Sequence, residues 1–299
     1  MENILYFDIN SGISGDMTIG ALLDLGIDHE KFKAELAKLN IDEYKLEITK
    51  KKKNGITGTD FKVILNDHGC NCNGNHDNNK DSKHNCCKDK AGNNSHGNSH
   101  SHDHSQSHSH PHKHAHKDKE ENHPHDHSYN RNFEDIKKLI NESSLNDSVK
   151  ELSIDIFEKV ARAEAKVHDK GINDVHFHEV GAVDSIVDIV GTAILIDLLN
   201  PDHIYASKVP LGTGFVNADH GNIPVPAPAT IEILKGVPVY SNGTKSELVT
   251  PTGAAIIKTL AEDFISLPEL NIEKIGYGTG KKDLEITNIL RVYQAKKKE

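Results

Sequence analysis

The spacing of apolar residues along this chain changes period several times, and each change marks an element. Asn3 to Ile9 (NILYFDI) is an almost unbroken apolar run, which predicts a buried strand. SGISGD then makes a glycine-rich turn into a helix, DMTIGALLDLG, that Gly26 stops as a C-terminal cap. Lys31 to Leu39 predicts a short second helix. Tyr44 to Thr49 alternates apolar with polar, and Phe61 to Leu65 follows after KNGITG, so the two read as a hairpin. Periodicity then vanishes from about Asn66 to Asn130 and returns at Phe133.

Beyond that gap, Val149, Leu152, Ile156, Val160, Ala163 and Val167 form a helical stripe over Asp147 to His168. Ser144 and Asp147 are spaced like a capping box at its start. Val175 to Val180 is short and extended. A long helix from Ala182 to Leu199, apolar almost all round, ends before Pro201. A strand from Ile204 to Pro210, a glycine turn from Leu211 to Gly214 and a proline-rich loop follow, then a helix from about Pro228 to Leu234. Strand Val237 to Tyr240 leads to Thr250-Pro251-Thr252, which starts another helix with Thr as N-cap and Pro at the first helical position. KIGYGTGKKD and a final strand, NILRVYQ, close the chain. Strands alternating with helices predict an α/β fold, with α+β as the alternative. The hairpin requires a mixed sheet, with packed helices and a long disordered His-rich insert.

The insert changes the picture. From His96 to His127 it holds more than half of the 21 histidines and almost no apolar side chain, so it cannot offset the entropy of ordering. Imidazole is the commonest protein metal ligand, and His100, His102, His104, His108, His110, His112, His114 and His116 are the densest candidates. Storage or delivery of a transition metal suits a segment that cannot preorganise a site. A solvated linker, the plainer alternative, would favour Gly, Ser, Glu and Lys over His. All four cysteines, Cys70, Cys72, Cys86 and Cys87, lie in or beside this tract. They read as soft ligands or reactive thiols in a reducing compartment, not as a disulfide framework. A net charge of −10 with neutral His argues against nucleic acid. With no signal peptide and no membrane-length apolar run, a cytoplasmic protein without membrane contact is expected.

Candidate ordered chemistry concentrates at His176-Phe177-His178-Glu179 and the helix after it. On an extended segment His176 and His178 point to the same side and can reach one ion together. In the helix, Gly181, Asp184, Ser185, Asp188, Gly191 and Thr192 share one narrow face. Two carboxylates a turn apart in a buried helix must be paired, protonated or metal-bound, so Asp184 and Asp188 join the two histidines as candidate metal ligands. A structural pair capped by a cation is the competing explanation. Imidazole plus carboxylate suits zinc, nickel, iron or manganese about equally. Asp8, Ser11, Gly12, Ser14, Gly15 and Asp16 make a second candidate, a turn whose amides could hold an anion before a helix N-terminus. It matches neither the dinucleotide fingerprint nor the P-loop, and a tight structural turn explains it as well. Thr250 and Thr252 offer another helix start for a phosphate, or simple capping. His220, in GTGFVNADHGNIPVPAPAT, sits in a proline-stiffened loop that reads as a site wall.

Together, YFDINSGISGDMTIGALLDLG, VHFHEVGAVDSIVDIVG, PLGTGFV, HGNIPVPAPAT, ELVTPTGAA, GYGTGKKDL and NILRV closely resemble the LarC family, from Met1 to about Tyr293 with a break only at the insert. The resemblance implies a nickel-insertion cyclometallase, a metal chelatase of the lyase class. Its substrate would be a pyridinium bis-thiocarboxylic acid mononucleotide, whose two sulfurs and one ring carbon come to hold Ni2+ in the pincer cofactor of lactate racemase. CTP with Mn2+ or Mg2+ is implied too. A metal–carbon bond requires loss of a ring proton, and Glu179, Asp188 or His220 could be the base. Family members continue into a C-terminal ferredoxin-like region that carries nucleotide binding and oligomerisation. The expected organisation is 1–65 and 131–265 as one α/β domain, 66–130 as the insert, and 266–299 as a truncated start of that region. Implied partners are the cofactor precursor, a separately encoded C-terminal half, lactate racemase and other cofactor-biosynthesis proteins, with homo-oligomers at full length. A nickel store or metallochaperone without catalysis, and a metal-dependent nucleotide phosphohydrolase, are the competing functions.

Overall fold

A computed structural model describes residues 2–42, 44–66, 131–175, 177, 183–218 and 221–297. The fold starts from β1 (Asn3–Asp8), whose Leu5 and Phe7 are fully buried on one face of a seven-stranded sheet. α1 (Gly15–Asp24) and α2 (His29–Ala37) follow, then the hairpin of β2 (Tyr44–Lys53) and β3 (Ile56–Leu65). That hairpin is longer than alternation suggested. It turns on Asn54 and Gly55, both at positive φ, the backbone that a tight two-residue hairpin loop demands. The lysine run from Lys50 to Lys53 hides the end of β2 from a hydrophobic pattern, because all but Lys53 are exposed.

After the residues outside the description come α3 (Phe133–Glu142), α4 (Asp147–His168) and α5 (Val183–Leu199). The capping box belongs to α3: Asn132 accepts from the Asp135 N–H at 2.9 Å, and Asp135 accepts from the Asn132 N–H at 3.1 Å. α4 starts at Asn146 instead, without a side-chain cap, so the expected box of Ser144 and Asp147 is not formed. The stretch expected as one strand divides into β4 (His203–Ala206) in the main sheet and β5 (Val209–Leu211), which pairs elsewhere with β8 (Val239–Ser241). Between them the proline-rich segment holds a small hairpin, β6 (Phe215–Ala218) with β7 (Gly221–Pro224), and then α6 (Pro228–Ile233). α7 (Pro251–Leu260) begins at the expected Thr250 cap, whose Oγ1 accepts from the Gly253 N–H at 3.1 Å. β9 (Asp263–Phe264), β10 (Leu270–Thr279) and β11 (Ile289–Lys297) complete the chain.

The sheet runs β2-β3-β10-β11-β1-β4-β9 and is mixed: β1 is antiparallel to β11 but parallel to β4. Residues 266–299 thus supply two of its inner strands, β10 and β11, to the same sheet as β1. α1 lies against β10, β3 and β11, while α5 is enclosed by α1, α2, α4 and α7, which explains why it is apolar nearly all round. Tyr6 and Asp8 point to the opposite face of the sheet, where Tyr6 stacks on Tyr293 of β11 at 6.0 Å between ring centroids. Among the described residues no helix is long and apolar enough to cross a membrane.

Close contact between α1 and β10 depends on Gly278. A Cβ there would stand 1.9 Å from the Met17 carbonyl oxygen, a backbone atom that cannot rotate away. Gly278→Ala should therefore lower the free energy of unfolding by about 1–3 kcal/mol, the usual cost of overpacking, with an unchanged urea m-value. An unaltered urea midpoint would mean that α1 can shift freely over the sheet.

Candidate functional site

The turn after β1 sets the geometry. Gly12 N–H donates to the Ile9 carbonyl at 2.8 Å, and Ile13 N–H donates to the Leu248 carbonyl at 2.9 Å. Thr250 N–H returns a bond to the Ile13 carbonyl at 3.2 Å, so the starts of α1 and α7 are tied by a parallel bridge between Ile13 and Val249. α5 can join them because Gly15 has no side chain: a Cβ there would be 2.4 Å from Asp188 Oδ2. The N-terminal ends of three helices meet at one cavity of about 350 Å3.

Its walls carry Ser14 and Asp16 from the start of α1, Asp184, Ser185 and Asp188 from α5, and Thr250 to Thr252 from α7. Glu247, Lys281 and residues of β3 close the remaining sides. Helix N-termini carry partial positive charge, which suits these carboxylates. Asp16 Oδ1 accepts from the Met17 N–H at 2.9 Å and from the Ser14 hydroxyl. Asp184 Oδ1 accepts from the Ser185 N–H at 2.8 Å. Asp188 lies deepest. Burial pushes its carboxyl well above the usual carboxylate range, and the charges of Asp16 and then Asp184 push the same way. The Lys281 ammonium and the backbone N–H of Asp16 offset only part of this. Such a carboxyl is costly to ionise unless a cation arrives beside it.

Lys281 supplies the opposite charge at the rim. Its Nζ donates to Asp60 Oδ1 at 2.9 Å and to the Phe61 carbonyl at 2.7 Å, and stands 3.5 Å from Asp16 Oδ2. Next to it, Lys282 pairs with Glu247 at 3.6 Å. Burial pushes Asp60 up, but the hydrogen bond and charge of Lys281, with help from Thr279 and Lys51, bring it below its ordinary value. Sequence reasoning assigned no role to Lys281, Asp60 or Glu247. Their only sequence signal is the Lys pair after the GTG turn.

The expected site residues divide into three groups. Ser14, Gly15, Asp16, Asp184, Asp188, Thr250 and Thr252 come together at the cavity. Asp8 and Ser11 do not. Strand alternation turns Asp8 to the far face, where its Oδ2 accepts from the Tyr293 hydroxyl at 2.8 Å and pairs with Arg291 at 2.5 Å. Ser11 lines a separate cavity of about 230 Å3 beside Asp8. The amides of Gly12 and Ile13, expected to cradle an anion, are already spent on Ile9 and Leu248. His176, His178, Glu179, His220 and the tract from His100 to His116 lie outside the described residues. Among the described residues no three His, Cys, Asp or Glu side chains are grouped to hold a metal ion.

This mixed α/β protein thus sets three carboxyls, those of Asp16, Asp184 and Asp188, against helix N-termini and a lysine in one cavity. The chain belongs to the nickel insertion protein family, whose model matches residues 5–299. It is similar to proteins called pyridinium-3,5-bisthiocarboxylic acid mononucleotide nickel insertion protein from three organisms. Identity is 50% with that of Clostridium acetobutylicum, over 97% of this chain and 63% of the relative. For Clostridium kluyveri it is 47%, over 97% and 61%, and for Acetivibrio thermocellus 45%, over 99% and 61%. The chain thus spans about three-fifths of the length of these curated relatives. No solved structure matches it.

The raised Asp188 gives a pH signature. The folded chain keeps a proton that the unfolded chain releases above about pH 4, so this group's burial costs stability as pH rises from there through the folded value. Without divalent cations, Asp188→Asn should be more stable than wild type near pH 7, and the difference should vanish below about pH 4. Urea midpoints across that range read it directly. A less stable Asn variant at neutral pH would mean that the carboxylate is ionised and paired.

Proposed function

We propose that this chain binds nickel and inserts it into pyridinium-3,5-bisthiocarboxylic acid mononucleotide, the substrate named for its relatives. The observation that carries the proposal is the cavity in which Asp16, Asp184 and Asp188 face Lys281 and the capped start of α7. Nickel is cargo here, and carboxylate and imidazole donors together suit it. Asp184 and Asp188 are the proposed ordered ligands, with His176 and His178. These two histidines flank Phe177, which is buried with its ring 6.5 Å from that of Phe157 and lies shortly before α5. Histidines of the tract, His100 to His116, raise the local nickel supply without shaping the site.

Asp188 is the first candidate for the base, ahead of Glu179 and His220. Nickel entering beside it favours its ionised form, and the carboxylate can then take the ring proton. In that step the ring C–H bond breaks, its electron pair forms the nickel–carbon bond, and the proton passes to the carboxylate. The two sulfurs complete the pincer. Ser14, Thr250 and Thr252 stand where hydroxyls and a helix N-terminus can bind the mononucleotide phosphate. In the finer form of the proposal the reaction uses CTP with Mn2+ or Mg2+, proceeds in a homo-oligomer of the full-length protein, and supplies lactate racemase.

The test separates the ordered site from the tract. Asp188→Ala and His176→Ala should each lower insertion by roughly 10–100-fold, while total nickel bound by the chain stays nearly unchanged. Product is read by its nickel-dependent absorbance and by mass. Wild-type insertion in both variants would remove the site, and loss only on deleting the tract would favour a nickel store. Phosphate release from nucleotides without any thiocarboxylate present would favour a phosphohydrolase.

A further inference from the structure

The opposite face of the main sheet has a cavity of its own. β1 and β4 run parallel, paired from Ile4–His203 to Phe7–Ala206, so their carboxyl ends lie side by side. In open sheets ligands bind outside the carboxyl ends of parallel strands. Outside these two lies a cavity of about 480 Å3, within the usual range for small-molecule sites. Its polar floor is already assembled. Asp8 Oδ2 accepts from the Tyr293 hydroxyl and pairs with Arg291, and its Oδ1 accepts from Asn10 Nδ2 at 2.6 Å. Asn10 Oδ1 accepts in turn from the Tyr240 hydroxyl at 3.1 Å, and the Tyr6 hydroxyl donates to the Ile265 carbonyl at 2.9 Å. These bonds fix both tyrosine side chains and use their protons. What Tyr6 and Tyr240 still present to the cavity is ring surface, with Ile265 and Leu267 as apolar neighbours. Tyr240 and Leu267 are exposed despite their size.

Charge narrows what the cavity can hold. Among the described residues that line it, Asp8 is the one carboxylate, and Arg291 neutralises it. Lys208, exposed just after β4, also lines the cavity and has no ion pair or side-chain hydrogen bond among the described residues. The result is one uncompensated ammonium beside fixed aromatic rings. A neutral ligand would forfeit the ammonium, and a saturated ring would forfeit contact with a tyrosine face.

We propose that this cavity is a second small-molecule site, which takes a planar aromatic ring bearing one anionic group. The ring lies against Tyr240 and Leu267, and Lys208 Nζ holds the anion. Asp8 and Asn10 are positioning residues: they keep the Tyr240 ring in place through its hydroxyl and make no bond to the ligand. This site is independent of the insertion function proposed above and stands or falls without it.

The experiment titrates the full chain with 2-naphthoate at about pH 8, where the imidazoles of the tract are neutral and do not attract the anion. The chain has no tryptophan, so naphthoate fluorescence can be read without protein emission. Wild type should bind naphthoate saturably. The neutral 2-naphthamide and the saturated decalin-2-carboxylate, the latter measured by competition, should each bind about tenfold more weakly. Lys208→Gln should lose about tenfold in naphthoate affinity and leave naphthamide unchanged. Tyr240→Leu should weaken both aromatic ligands by roughly threefold or more, and Tyr240→Phe, which keeps the ring, should bind them like wild type. Both positions are exposed, and thermal melts check that each variant is folded. Naphthoate bound no better than naphthamide, unchanged affinity in Lys208→Gln or in Tyr240→Leu, or no saturable binding by wild type overturns the proposal. A loss in Asp188→Asn would place the probe among the helix starts and overturn it as well.

Discussion

The structure depends on how closely the backbones of α1, α5 and α7 approach one another at their starts. A helix beginning is a cheap place to keep a carboxylate, because its free N–H groups and partial positive charge face outward. Placing three such beginnings around one cavity is harder, since ordinary side chains would hold them apart. Gly15 removes that obstacle against Asp188, and the paired backbones at Ile13 and Val249 lock α7 to α1. The acidic residues therefore converge through backbone geometry, and the backbone N–H of Asp16 bonds the Asp188 carboxyl.

That convergence has an electrostatic consequence. Asp16, Asp184 and Asp188 share one cavity, and burial together with the charges of the other two holds Asp188 away from its ionised form. A fold selected for stability alone would place an amide or an apolar group at Asp188. Burial and the charges of Asp16 and Asp184 make this carboxyl unfavourable to ionise. Lys281 stands at the rim beside Asp16 and Asp60, and Lys53 holds the backbone of its loop.

Across the sheet, the Asp8–Arg291 pair with the Tyr293 hydroxyl shows the contrasting outcome. There a half-exposed guanidinium and a phenol meet Asp8 Oδ2 while Asn10 Nδ2 donates to its Oδ1 at 2.6 Å, and the result is a structural clasp between β1 and β11. Asp8 and Asp16 are close in sequence and were grouped as one candidate. A strand alternates its side chains between faces, so a turn of a few residues separates the two by the thickness of the sheet.

Much of this protein was legible in its sequence. Local periodicity marked β1, α1, α4, α5 and the Thr250 start of α7, because burial of one face writes a pattern over consecutive residues. The same logic singled out Asp184 and Asp188 as polar exceptions on one face of an otherwise apolar helix. The motifs carried the family. What the sequence did not reveal is which elements become neighbours. β10 was hidden because half of it is exposed and shows no alternation, and the split of β4 from β5 follows from partners far along the chain. Lys281 and Asp16 are separated by most of the molecule, and only the register of β3, β10 and β11 brings the GTGKKD loop over the start of α1. A site assembled from separate helix starts and a strand connection is a property of packing, and no local pattern encodes it.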